Sequence, residues 1–175
     1  QVLYKKRKEM HMKYEYVEQK QNDEELKIFL MHNHLHIQKE YEWGYKVYEN
    51  KQLVACGFVQ NHLLEMFAID ERYRHQGILQ NLLQKILETC IKKQIDPVYL
   101  FTKKEHISSF LSCGLFLIIQ DDICMMSNDL NILRKKEIRE KLLSEKWPYS
   151  YYFCDDLKEF EVYKTKIKEC IRNGN

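Results

Sequence analysis

The sequence predicts an α/β fold, a mixed and mostly antiparallel sheet flanked by helices, with a helical C-terminal extension. Three observations carry that prediction. Residues 63–69 form an almost continuous apolar run of the buried-strand kind, and a basic turn leads from it into a helix. A second apolar run, 97–102, follows that helix, and strand, helix, strand implies a parallel crossover. Ahead of both, two β-rich runs, 44–48 and 53–59, flank Glu49-Asn50-Lys51-Gln52, which reads as an antiparallel hairpin with Asn50 near its tip.

In chain order, residues 12–17 alternate as a short strand. Asn22 or Asp23 then caps a helix carrying Leu26, Ile28, Phe29 and Leu30, and a second helix continues to about Gln38. His32, His34 and His36 share a side only if they lie on a strand; in a helical segment, with no carboxylate or cysteine cluster beside them, they read as ordinary histidines. Gly57 inside its strand marks a bulge or a close approach of backbone. The helix after the basic turn repeats Ile78, Leu79, Leu82, Leu83, Ile86, Leu87, Cys90 and Ile91 at helical spacing, with Gln80, Asn81, Gln84, Lys85 and Glu88 opposite. Residues 104–113 form a short helix stopped by a left-handed Gly114, and 115–119 and 123–126 give two final strands.

Composition changes after Ser127. Asn128 or Asp129 caps a charged helix with Leu130, Leu133, Ile138, Leu142 and Leu143, which Trp147-Pro148 ends. A tyrosine-rich connector, 149–153, leads to a last amphipathic helix, 157–171. The expected division is an α/β domain at 1–127 and an extension at 128–175.

Bulk composition narrows the function classes. At 45% hydrophobic and 31% charged residues, the 175-residue chain is globular rather than disordered or membrane-embedded. Its 28 basic and 26 acidic residues nearly cancel, so nothing favours nucleic acid as a partner and any anion site must be local. Six cysteines without a C-x-x-C pair, several of them in apolar runs, suit a reducing, cytoplasmic setting and no metal. No stretch approaches the roughly 20 apolar residues of a membrane span, and Lys5-Lys6-Arg7-Lys8 lacks the apolar core of a signal peptide, so no membrane partner is expected.

The local anion site is the turn. A helix N-terminus carries unpaired backbone N–H groups and partial positive charge, and a glycine lets a phosphate approach them. Arg72, Arg74, His75, Gln76 and Gly77 precede such a terminus, and Ile78 and Leu79 open the helix. The competing reading is an ordinary strand-turn-helix with a loop glycine.

This order of elements resembles the GNAT acetyltransferase fold, and Arg74-His75-Gln76-Gly77-Ile78-Leu79 resembles that superfamily's acetyl-CoA motif, Q/R-x-x-G-x-G/A, with Leu79 in place of the usual small residue. Within the superfamily the chain is similar to the N-terminal, acetyltransferase-like domain of citrate lyase ligase, over about residues 41–133. The resemblance lies in Leu53-Val54-Ala55-Cys56-Gly57, Leu100-Phe101-Thr102-Lys103 with Glu105, Phe110-Leu111-Ser112-Cys113-Gly114 and Met125-Met126-Ser127-Asn128. That ligase family does its nucleotide chemistry in a separate domain bearing an H-x-G-H motif, which this chain lacks, so ligase activity is not expected of it.

The resemblance implies acetyl-CoA as co-substrate, with Arg74 to Leu79 wrapping its pyrophosphate and Arg72 or Arg74 as charge partner. Backbone groups around Phe67, Ala68 and Ile69 would hold the pantetheine, where their strand splays from the next. It implies direct acetyl transfer to an amine, on a small molecule or a protein. A free lysine-type amine, with a pKa near about 10.4, needs a base. Glu65 is the candidate, since the period of two puts Glu65, Phe67 and Ile69 on one face; its alternative is a solvent-facing or ion-paired carboxylate. Many members place a thiolate-protonating tyrosine where Phe110 stands, and Phe110 cannot donate a proton; Ser109, Ser112 or Cys113 are the possible substitutes. Two other readings stay open: a non-catalytic CoA- or carrier-binding module, and an interaction protein whose C-terminal extension pairs with another chain, or with itself as a homodimer, through its apolar stripes and tyrosines.

Overall fold

The computed structural model describes residues 13–35, 41–144, 147 and 156–174. Seven strands build one sheet: β1 (Glu15–Gln19), β2 (Trp43–Glu49), β3 (Gln52–Gln60), β4 (Leu63–Ile69), β5 (Tyr99–Lys103), β6 (Phe116–Ile119) and β7 (Ile123–Ser127). The described helices are α1 (Glu24–His32), α2 (Ile78–Lys92), α3 (Ile107–Leu111), α4 (Lys136–Ser144) and α5 (Leu157–Arg172). In space the strands run β1-β2-β3-β4-β5-β7-β6, antiparallel throughout except for β4 beside β5. The single parallel step is the crossover through α2.

Local chemistry accounts for the boundaries. Asn50 and Lys51 both take positive φ, 47° and 64°, the geometry of the hairpin turn whose twist matches its strands. Asp23, rather than Asn22, caps α1, its Oδ1 accepting from the Leu26 amide at 2.8 Å. The same end is tied to the sheet by Lys46, a buried β2 side chain that donates to Asp23 and Glu25 at 2.8 and 3.0 Å. Gly114, at φ 88°, stops the turn after α3 as expected.

Two expected helices are shorter. The 104–113 helix is a tight helical turn at Lys104–His106 followed by α3 alone. The helix expected after Asn128 starts at Lys136: Asp129 instead closes a local turn, accepting from the Asn131 amide at 2.8 Å, and Leu130 is 62% exposed. The first strand begins at Glu15 rather than residue 12. The second helix expected before Gln38, His36, and the 149–153 connector lie largely or wholly outside the described residues.

Both faces of the sheet are covered. On one, α2 and α3 bury Ile78, Leu82, Leu83, Ile86 and Phe110 against Val47, Val59, Leu64, Val98 and Leu100. On the other, α1 sets Leu26, Phe29 and Leu30 on Phe58, Met66 and Ala68. That second face continues across β5 and β7, where α4, α5 and Trp147 pack Ile138, Leu142, Phe160, Ile167 and Ile171 against Leu63, Tyr99, Phe101 and Met125. Trp147 stacks 5.0 Å from Phe101 and donates its indole N–H to the Leu142 carbonyl at 3.0 Å. Among the described residues no helix is long and apolar enough to cross a membrane, and the described cysteines carry free thiols.

Candidate functional site

The sheet opens between β4 and β5. Their ladder holds one residue pair, Leu63 with Tyr99, beside a Tyr99 N–H to His62 carbonyl bond of 2.9 Å. Beyond it the strands diverge toward their C-terminal ends, and the facing edges have no ladder partner there. The N-terminus of α2 lies past the end of β4, at the same end of the sheet, where open α/β sheets take their ligands.

On its other edge, against β3, β4 carries a bulge. Phe58 pairs with Glu65 and Cys56 with Ala68, so Gly57 alone opposes both Met66 and Phe67. Met66 takes φ 53°, and the Cys56 thiol donates to its carbonyl at 3.3 Å. Burial in these apolar surroundings pushes the Cys56 thiol pKa well up. The bulge also corrects an expectation. Glu65, Phe67 and Ile69 do not share a face, because the extra residue shifts the alternation by one. Directly paired residues point the same way, so Glu65 and Ala68 lie with Phe58 and Cys56 on the α1 face. Ile69, opposite Ala55, lies with Phe67 on the α2 face.

Glu65 is therefore neither solvent-facing nor ion-paired. It is 5% exposed, and both carboxylate oxygens are buried with no hydrogen-bond partner. Burial alone raises its pKa to about 8. It sits where the α1-covered half of the face meets the half covered by α4 and α5, two residues along β4 from the point where the strands part. A carboxylate so placed can take a proton near neutral pH.

Phe67 faces the other way, its ring over Gly57: a Cβ on Gly57 would lie 2.6 Å from Phe67 Cε1. The close approach expected at Gly57 is thus a ring contact, and the bulge itself belongs to the facing strand. Phe110 meets Phe67 edge-on at 6.2 Å and 87° and is buried. Its ring is part of the α2-side core.

The basic turn is built differently from its charges. Asp70 caps the turn at Glu71–Tyr73 and pairs with Arg72 at 3.1 Å, so the Arg72 charge is already matched. This guanidinium also holds the Asp70 carboxyl below its ordinary pKa. Arg74 is exposed and donates Nε to the Ile69 carbonyl at 3.2 Å, bracing the end of β4. Gln76 accepts from Tyr14 Oη at 3.2 Å and donates to the Arg72 carbonyl at 3.3 Å. His75 and Gly77 take left-handed φ of 62° and 79°, and the space a Gly77 Cβ would enter is empty. Gly77 stands at the N-cap of α2 with no side chain capping the helix and no acidic residue in its first turn. First-turn amides there have no intrahelical acceptor. Ile78 is buried in the core and Leu79 packs against it, so both can offer only main-chain N–H groups.

Sequence reasoning missed two features. One is the β4 bulge, whose signal was the failure of 63–69 to alternate. The other is Gln60, whose Oε1 is buried and unpartnered on the Glu65 face. His32 and His34 stand exposed at and after the end of α1, and the described residues bring no three metal-ligating side chains together.

A fold with a splayed parallel pair, a bulged fourth strand and an uncapped helix beyond it defines a class before any comparison. The family model for the acetyltransferase (GNAT) family matches residues 5–113, and the chain belongs to that family. Two curated relatives are citrate [pro-3S]-lyase ligases. The Haemophilus influenzae protein is 26% identical over 116 residues, covering 63% of this chain and 34% of its own. The Escherichia coli K12 protein is 23% identical over 153 residues, 86% of this chain and 39% of its own. The chain thus spans little more than a third of those relatives. Among solved structures, Escherichia coli ElaA superposes at a TM-score of 0.55, with 17% identity over 66% of this chain and 99% of its own. An acyl-CoA N-acyltransferase from Pseudomonas aeruginosa also gives 0.55, with 12% identity over 66% of this chain and 99% of its own. These likenesses show the fold.

Proposed function

We infer that the protein transfers an acetyl group from acetyl-CoA to an amine by direct attack in a ternary complex. The observation that carries this reading is Glu65, a buried and unpartnered carboxylate with a raised pKa beside the β4–β5 opening. Family membership supports acyl transfer in general, and the geometry suits the donor. The α2 amides beyond Gly77 fit a pyrophosphate, and the unpaired edges of β4 and β5 fit the amide-bearing arm of pantetheine. The donor supplies an activated thioester. One backbone N–H on the β4 edge would polarise its carbonyl as negative charge develops on the oxygen.

The proton account follows. An ammonium gives one proton to Glu65, and the neutral nitrogen attacks the carbonyl carbon. The C–S bond then breaks, a proton leaves the new amide nitrogen, the thiolate takes one proton, and one proton is released net. Moving a proton from an amine of pKa about 10.4 to an ordinary carboxylate is uphill by about 8 kcal/mol, and to Glu65 at its raised value by only about 3 kcal/mol. The released thiolate has an intrinsic pKa of about 8.5 and can depart without a dedicated acid, which makes Phe110 compatible with turnover.

The test is acetyl transfer from acetyl-CoA to a panel of small amines and amine-bearing peptides, with Glu65→Gln alongside. The expected result is measurable turnover that the variant loses by at least a hundredfold while binding acetyl-CoA equally. One observation favours the alternative, a CoA- or carrier-binding module without catalysis: Phe110 places a core-packed ring where a proton donor would serve. Tight acetyl-CoA binding with no turnover on any amine would select it.

A further inference from the structure

Among the described residues five buried side-chain atoms lack a hydrogen-bond partner: Tyr41 Oη, Trp43 Nε1, Gln60 Oε1 and both oxygens of Glu65. Trp43 lies on the α2 face. The Tyr41 hydroxyl feels Asp23, Lys46 and Cys56, which places it toward the α1 cap. The remaining three belong together. Gln60 pairs with Leu63 and Phe58 with Glu65, so Gln60 and Glu65 are diagonal neighbours on one face, with Cα atoms roughly 7–8 Å apart. The Gln60 oxygen is turned as an acceptor, and both Glu65 oxygens become acceptors once the carboxyl ionises, on a face that also buries Phe58, Leu63 and Met66.

Buried acceptors without donors are rare in folded proteins, because each forfeits its hydration without return. An ammonium carries three N–H donors and no acceptor, and a hydroxyl carries one donor. We propose that Gln60 is a positioning residue for the acceptor: its side-chain carbonyl and the Glu65 carboxylate together seat the ammonium before it is deprotonated. This inference rests on the acyl-transfer reading for the identity of the seated group. It adds that Glu65 does not hold the nitrogen alone, and that the second contact comes from the end of β3. Next to Gln60, the Asn61 main-chain N–H donates to Glu42 Oε1 at 2.9 Å. The open grooves at Glu18–Gln21 and along the outer side of α5 hold none of these groups.

The experiment uses the full chain, Gln60→Leu and the conservative Gln60→Glu. Each is titrated with n-butylamine and with n-butanol, followed by backbone amide NMR shifts, and separately with acetyl-CoA by calorimetry. The expected result is butylamine binding at least tenfold tighter than butanol, weakened at least tenfold in Gln60→Leu and restored in Gln60→Glu, with acetyl-CoA affinity equal in all three. With the amine that proves to be the best acceptor, Gln60→Leu should raise KM about tenfold and leave kcat within twofold. Equal butylamine affinity for wild type and Gln60→Leu, or no recovery in Gln60→Glu, would overturn the proposal. Failure of the acyl-transfer reading looks different: no acetyl transfer to any amine by the wild-type chain, whether or not acetyl-CoA binds.

Discussion

Replacing Glu65 with glutamine should make the protein more stable, and by an amount that depends on pH. Below pH 4.5 the carboxyl is protonated in both folded and unfolded chains, so it contributes no difference. Between 4.5 and about 8 the folded chain holds a proton that the unfolded chain has released. Stability therefore falls as pH rises through this window and is level again above it. Over the full interval the loss is about 5 kcal/mol, and between pH 5.5 and 8 about 3 kcal/mol. Glutamine removes the slope. Any cost of burying its unpaired amide is the same at both pH values and cancels in the comparison. Urea unfolding of both proteins at pH 5.5 and 8, analysed at a common m-value, measures the quantity directly. The stabilisation of Glu65→Gln over wild type should grow by about 3 kcal/mol between the two. A difference that stays constant, or shrinks, would refute the assignment of a buried and unpartnered carboxylate at this position. The same group sets the expected activity profile: turnover rising through about pH 8 in wild type, and no such limb in the variant.

Three further outcomes are expected. Gly77→Ala meets no neighbour but forces a side chain into φ 79°, costing about 1 kcal/mol of stability, whereas Gly77→Asp adds a negative charge at the uncapped end of α2. Calorimetry should find acetyl-CoA binding weakened severalfold by the first and at least tenfold beyond that by the second, and equal binding by both would sink the anion site. Gly57→Ala drives a methyl into the Phe67 ring and should destabilise by about 1–3 kcal/mol in urea, with most of the loss recovered in Gly57→Ala/Phe67→Leu. Trp147→Ala removes a ring stacked on Phe101 and its bond to the Leu142 carbonyl. Its unfolding free energy should drop by about 3–5 kcal/mol, and a drop under 1 kcal/mol would mean that the C-terminal helices are not part of the cooperative core.

What the sequence made legible was whatever local chemistry dictates. Asn50-Lys51 between two β-rich runs, Asp23 ahead of Leu26, and the apolar stripe of α2 each specify an element without help from distant residues. So does Gly77, which read as the glycine ahead of the helix start and stands at the N-cap of α2. The face of Glu65 was hidden because alternation is an average over a regular strand, and the bulge depends on pairing with Gly57 and on the Cys56 thiol reaching Met66. Its burial was hidden too, since the covering helices come from opposite ends of the chain. Arg72 read as a candidate phosphate partner, and in this structure it pairs with Asp70, two residues away. The late start of α4 reflects Asp129 binding its own turn, a competition that propensity does not resolve.

The inserted position in β4 has a consequence for the rest of that strand. If Met66 were deleted, Glu65 and Phe67 would become immediate neighbours in an unbroken alternation, and every remaining side chain of 63–69 would stay on the side it occupies now. Such a deletion costs one buried side chain and straightens the strand without turning anything over. It offers a way to vary the width of the opening while Glu65, Phe67 and Ile69 keep their orientations, and so to ask of this chain whether acyl-group size is governed by the kink or by the residues around it.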